Sequence, residues 1–118
     1  MSNLAVIKEL KEGTVALGLP FSDNVFEALD VYLQLLIKWN GSFNLSGISN
    51  PDEMVSKHLL DSLAISPFIT GKLIADIGTG AGLPGIPLAI ANPDKHFILV
   101  DSNGKKTRFL FQAKLALK

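Results

Sequence analysis

Apolar positions recur at helical spacing through the first half of the chain and condense into short unbroken runs in the second. Leu4, Ile7, Leu10, Thr14 and Leu17 fall on one side of a helical wheel, and Gly18 with Pro20 supplies a stop. Ser22 is a suitable N-cap for a second helix, with Asp23 in its first turn. Val25, Phe26, Leu29, Tyr32, Leu33, Leu36 and Ile37 make its broad apolar stripe, and Gly41 is expected to end it. Asn50 predicts a cap for a third helix, with Pro51 at its first position and Glu53 placed to complete a capping box. That helix should run to Leu63 or Ile65, where Ser66-Pro67 breaks it.

The second half changes period. Lys72 to Ile77 is a short apolar run interrupted by Asp76, followed by four glycines in the eight residues from Gly78 to Gly85 and an apolar segment from Ile86 to Ala91. This predicts strand, tight loop, helix. Asn92-Pro93-Asp94 reads as a turn, and Phe97 to Val100 as a fully apolar strand of a parallel sheet covered on both faces. Lys105 to Lys118 is helical in pattern, with Phe109, Leu110, Ala113 and Leu117 on one face.

Composition narrows the class. A chain of 118 residues with 47% apolar content suffices for one domain with a core. With no cysteine there are no disulfides or thiolate metal sites, which fits a reducing compartment. No run reaches membrane-spanning length and no secretory pattern opens the chain, so a cytoplasmic location with no membrane partner is expected. Eleven basic and eleven acidic residues cancel, so nucleic-acid binding has to rest on a local patch. Lys105, Lys106 and Arg108 are that patch; they oppose the helix dipole, and they serve either RNA phosphates or solubility.

The glycine loop carries the chemistry. Glycines turn sharply at positive φ and lie close against a ligand, and free N–H groups at the start of the next helix would face it. Gly80-x-Gly82-x-x-Gly85 matches the dinucleotide fingerprint, but Gly78 and Thr79 intervene between its first glycine and the strand. The other register, Asp76-x-Gly78-x-Gly80-x-Gly82, is the pattern of S-adenosylmethionine-dependent methyltransferases. An acid there suits a sulfonium cation and would repel a pyrophosphate, so this register is preferred. Asp101 follows the second strand 25 positions after Asp76, where ribose hydroxyls are read; a turn or helix cap is the alternative. His58 and Asp61 share a helical face, as a polar contact or a dyad, with His96 too remote to complete a metal site. Asn44 is either a turn residue or a base-contacting amide, and Trp39 is read as core.

Taken together, Trp39-Asn40, Asn44-Leu45-Ser46, His58-Leu59-Leu60-Asp61-Ser62-Leu63, Asp76 to Leu88, Leu99 to Ser102, Gly104-Lys105-Lys106 and Arg108-Phe109-Leu110 form one composite string. It resembles the bacterial small-subunit ribosomal RNA guanine-N7 methyltransferase G family, also called glucose-inhibited division protein B. The resemblance runs from about Phe21 onward, and Leu83-Pro84-Gly85-Ile86-Pro87 is its most distinctive part. Ser46 and Asn103 depart from it, where threonine and leucine are common.

The resemblance implies an α/β fold: N-terminal helices over residues 1–70, then over 71–118 the first half of a Rossmann-like class I S-adenosylmethionine-dependent methyltransferase sheet. It implies methyl transfer to N7 of one guanine in 16S ribosomal RNA or a small-subunit precursor. It implies cofactor contacts at the backbone of Gly78 and Leu83; the glycine register adds Gly80 and Gly82, the second strand tip adds Asp101, and Asn44, His58 and Asp61 are candidates for substrate-side or supporting roles. A complete sheet of this kind has about six or seven strands. Two are evident, so a truncated chain is expected, inactive alone, weak toward the cofactor and prone to pair edge to edge as a dimer. Rival readings are a nicotinamide-dependent oxidoreductase and a non-enzymatic RNA-binding domain.

Overall fold

A computed structural model describes residues 3–43, 45 and 50–117. Helix α1 (Asn3–Ala16) ends in a Schellman motif: Gly18 takes φ +71°, its N–H donates to the Val15 carbonyl, and Leu19 N–H donates to Thr14. The buried face of α1 is Val6, Leu10 and Thr14, while Leu4 and Leu17 lie exposed, so the expected stripe is rotated. Gly13 explains the rotation. A Cβ there would overlap the Leu60 side chain, so its absence lets the third helical segment approach α1 on that side.

Helix α2 (Asp23–Phe43) buries Phe26, Leu29, Tyr32, Leu33 and Leu36 as its stripe predicts. It runs past Gly41, which sits in open space and meets no packing stop. Asp30, a buried acid the stripe did not flag, accepts from Gln34 Nε2 at 3.1 Å.

The third helical segment opens as α3 (Pro51–Met54), capped by Asn50 Oδ1, which accepts from Asp52 N–H at 2.9 Å. Glu53 does not close a capping box; its carboxylate lies 3.6 Å from Lys57 Nζ. The predicted regular helix is π-helical over Val55–Leu60 before closing as α4 (Asp61–Leu63) and the 3₁₀ turn Ser66–Phe68. A widened turn of this kind follows from tertiary packing and has no local signature in sequence.

Strands β1 (Leu73–Ile77) and β2 (His96–Val100) pair in parallel, Leu73 opposite His96 and Ile77 opposite Val100, with α5 (Gly85–Ala91) between them. Asn92 caps α5, its Nδ2 donating to the Leu88 carbonyl at 2.8 Å. Helix α6 (Gly104–Leu117) starts on Asn103, whose Oδ1 accepts from Lys105 and Lys106 N–H. Asn103, one of the two residues read above as departing from the resemblance, is therefore the cap of α6.

The helices form one buried cluster with the inner layer of the sheet, from Val6 and Leu10 through Tyr32 and Leu59 to Ile86, Phe109 and Ala113. Trp39 joins it, its ring 5.7 Å from Phe109, as expected of a core residue. The sheet is covered on one face only. Ile74, Asp76, Phe97 and Leu99 turn toward the helices, whereas Leu73, Ile77, Ile98 and Val100 are 67%, 74%, 45% and 44% exposed. The expectation of two covered faces thus fails among the described residues.

Candidate functional site

The strand–loop–helix reading of the glycine stretch is correct. The chain leaves β1 at Ile77 and turns through Gly78, Gly80 and Gly82, with φ of +69°, +62° and +94°, before entering α5 after a cis Leu83–Pro84 bond. Three left-handed residues at alternate positions within a five-residue stretch favour glycine, because a Cβ would meet the following carbonyl.

Acids at the two strand tips hold this corner in place. Asp76 Oδ2 accepts from Thr79 Oγ1 at 2.5 Å and from Gly85 N–H at 3.0 Å. Gly78 and Thr79 N–H both donate to the Val100 carbonyl at the end of β2. Asp101 Oδ2 accepts from Gly80 N–H at 2.8 Å, and its Oδ1 accepts from Asn103 N–H at 2.8 Å. Those two N–H groups, Asn103 first, and the charge of Lys106 hold the Asp101 carboxyl below the usual carboxylate range, against a smaller opposing effect of desolvation. Asp101 is therefore both the turn residue of its alternative reading and a carboxylate with lone pairs to spare.

The glycines differ in what they face. A Cβ on Gly82 would overlap Ile86, and one on Gly85 would stand 2.8 Å from Asp76 Oδ2 and 3.0 Å from Leu99 Cγ. Packing alone accounts for both glycines. A Cβ on Gly78 would meet open space, and one on Gly80 would stand 3.9 Å from Lys106 Nζ. Gly78, Gly80, Leu83 and Asp101 thus gather at one corner, with Gly82 on its packed side.

One expectation is overturned. The first-turn donors of α5 are not free for a ligand. Gly85 N–H goes to Asp76, Ile86 N–H to the Gly82 carbonyl, and Pro87 has none. A pyrophosphate would find no open donors there, which removes the physical basis of the dinucleotide register.

Sequence reasoning missed Tyr32. Its hydroxyl, fully buried on α2, donates to the Ala81 carbonyl at 2.7 Å. Only the general rule that a buried phenol needs a partner hinted at such a bond. Of the residues expected on the substrate side, His58 is half-buried in the π-helical turn, where desolvation lowers its pKa against the raising effects of a backbone hydrogen bond at Lys57 and the Asp61 charge. Asp61 is exposed, and Asn44 lies outside the described residues. A groove of about 1000 Å³ lies beside β2 between α2, α5 and α6, and none of the corner residues lines it.

Helices packed on one face of a parallel βαβ unit, with an acid-pinned glycine corner at the strand tips, define an α/β protein. Residues 25–118 match the family described as rRNA small subunit methyltransferase G, GidB. Proteins named ribosomal RNA small subunit methyltransferase G from Pseudomonas syringae pv. tomato and Stutzerimonas stutzeri are 55% and 54% identical over 94% of this chain. One of the same name from Nitrosococcus oceani is 54% identical over 92%. The chain belongs to the rRNA small subunit methyltransferase G family. It spans about half the length of the curated relatives it matches, 53%, 53% and 50% of these three.

Proposed function

We propose that this chain supplies the cofactor corner of an enzyme that transfers a methyl group from S-adenosylmethionine to N7 of a guanine in 16S ribosomal RNA or its small-subunit precursor. The observation that carries this reading is the corner itself: an open Gly78 beside a charged Asp101, with every first-turn donor of α5 consumed internally. That arrangement favours a cationic, phosphate-free ligand. When bound, S-adenosylmethionine supplies an electrophilic methyl group on sulfur. The N–H groups of Gly78 and Leu83 are donated to the Val100 and Thr79 carbonyls, so the carbonyls of these two residues would hold the cofactor, and the remaining lone pairs of Asp101 would accept the ribose hydroxyls. Gly80 and Gly82 shape the turn.

Guanine N7 carries an in-plane lone pair and no proton. The protein therefore needs to orient the base rather than deprotonate it, and alignment provides most of the rate. His58, Asp61 and Asn44 are the substrate-side candidates, and Lys105, Lys106 and Arg108 would meet RNA phosphates. Such a protein works where ribosomes are assembled, in the cytoplasm. Among the described residues no helix is long and apolar enough to cross a membrane. The open sheet face and edges support self-association of this chain as a dimer.

Isothermal titration with S-adenosylhomocysteine and with NAD tests the reading. S-adenosylhomocysteine should bind and raise the melting temperature, and NAD should do neither. Stabilisation by NAD alone would overturn it.

A further inference from the structure

Tyr32 sits on α2 with its side chain fully buried, and its hydroxyl reaches across 49 positions of sequence to the Ala81 carbonyl at 2.7 Å. The ring is fixed as well as the hydroxyl. It lies 6.1 Å from Phe109 on α6, and Phe109 packs 5.7 Å from Trp39. Ala81 is the midpoint of the corner and is itself buried, three residues after Gly78 and two before Leu83. The other tethers of the corner come from the sheet side: Asp76 to Thr79 and Gly85, Val100 to Gly78 and Thr79, and Asp101 to Gly80. Tyr32 supplies the opposing hold from the helical layer. Burial pushes its phenol far above the usual range, so it stays a donor at any pH the fold survives.

We propose that Tyr32 is a positioning residue: through Ala81 its hydroxyl holds the glycine corner in the geometry that receives a ligand, without touching that ligand. The N-terminal helical pair thereby contributes to affinity at a site it does not line. The consequence for affinity rests on the reading of the corner as a cofactor site; the mechanical hold does not.

Tyr32→Phe keeps the ring on Phe109 and removes only the donor. Hydrogen exchange of this chain should then be about tenfold faster at residues 78–83, while amides of α1 and α2 keep their rates. S-adenosylhomocysteine affinity of the folded protein should fall by about the same factor. Phe109→Leu is the control, since it loosens the aromatic cluster but keeps the hydroxyl. It should lower the melting temperature while leaving corner exchange and affinity within about twofold. Faster exchange confined to 78–83, with no S-adenosylhomocysteine binding by either protein, would support the hold and remove the cofactor reading. Unchanged corner exchange in Tyr32→Phe, an equal effect in Phe109→Leu, or failure of Tyr32→Phe to fold would each overturn the proposal.

Discussion

Gly80 N–H and Asp101 Oδ2 stand 2.8 Å apart, a bond that joins the middle of the glycine corner to the tip of β2. It is also the bond most directly open to titration, because the folded state holds the Asp101 carboxyl below its ordinary range. A carboxylate with a depressed folded pKa contributes stability above its unfolded value near 3.9, and that contribution is lost as pH falls through the folded value. Melting temperature followed from pH 6 down to pH 3 should therefore drop less steeply in Asp101→Asn than in the parent. Parallel curves would show that the bond adds nothing to stability.

The glycines should separate by environment. Gly78→Ala meets open space and carries only the left-handed strain, about 1–2 kcal/mol. Gly82→Ala carries the same strain plus a clash with Ile86, adding roughly 1–3 kcal/mol of overpacking. Urea denaturation gives the ranking directly, and equal midpoints for the two variants would contradict it. Ligand affinity should show the reverse sensitivity at Gly78, where a methyl group enters the open corner.

Asp76 ties two donors to one oxygen, Thr79 Oγ1 and Gly85 N–H. Asp76→Ala leaves both without that acceptor and should cost about 2–4 kcal/mol; Thr79→Val removes one bond and should cost about 1 kcal/mol. Because the two changes share a network, the double variant should lose less than the sum. Strict additivity in chemical denaturation would mean that the two side chains act independently.

His58 should make the fold sensitive to mild acid. Its folded pKa lies below the ordinary 6.5, mainly through desolvation, so the unfolded chain binds more protons as pH falls through 6.5. Stability should therefore decline below that pH, and His58→Gln should flatten the decline. A His58 ring titration at or above 6.5, followed by NMR, would reverse the sign.

The uncovered sheet face should drive self-association. Ile77 at 74% exposed and Ile98 at 45% lie on it, and sedimentation velocity should show mass rising with concentration. Ile77→Lys together with Ile98→Lys should restore the monomer. A parent chain that stays monomeric throughout removes the dimer.

Much of this molecule was legible because its signals are local. The period of α2, the Gly18 stop, the Asn50 cap, the strand–glycine–helix corner and an acid after β2 each depend on residues within one or two turns of one another. Propensity and turn chemistry act at that range, so the sequence by itself determined the elements, their order and the corner that marks the family.

The tertiary structure decided what those elements present to one another. It chose Val6–Leu10–Thr14 as the inner face of α1, because Gly13 admits Leu60 on that side. It consumed the first-turn donors of α5 and gave Gly82 a packing role distinct from that of Gly78. It also brought Tyr32 to Ala81 across 49 positions. Contacts of that span leave no periodicity behind. They exist only once packing has fixed which faces meet, and so no stretch of the sequence carries them.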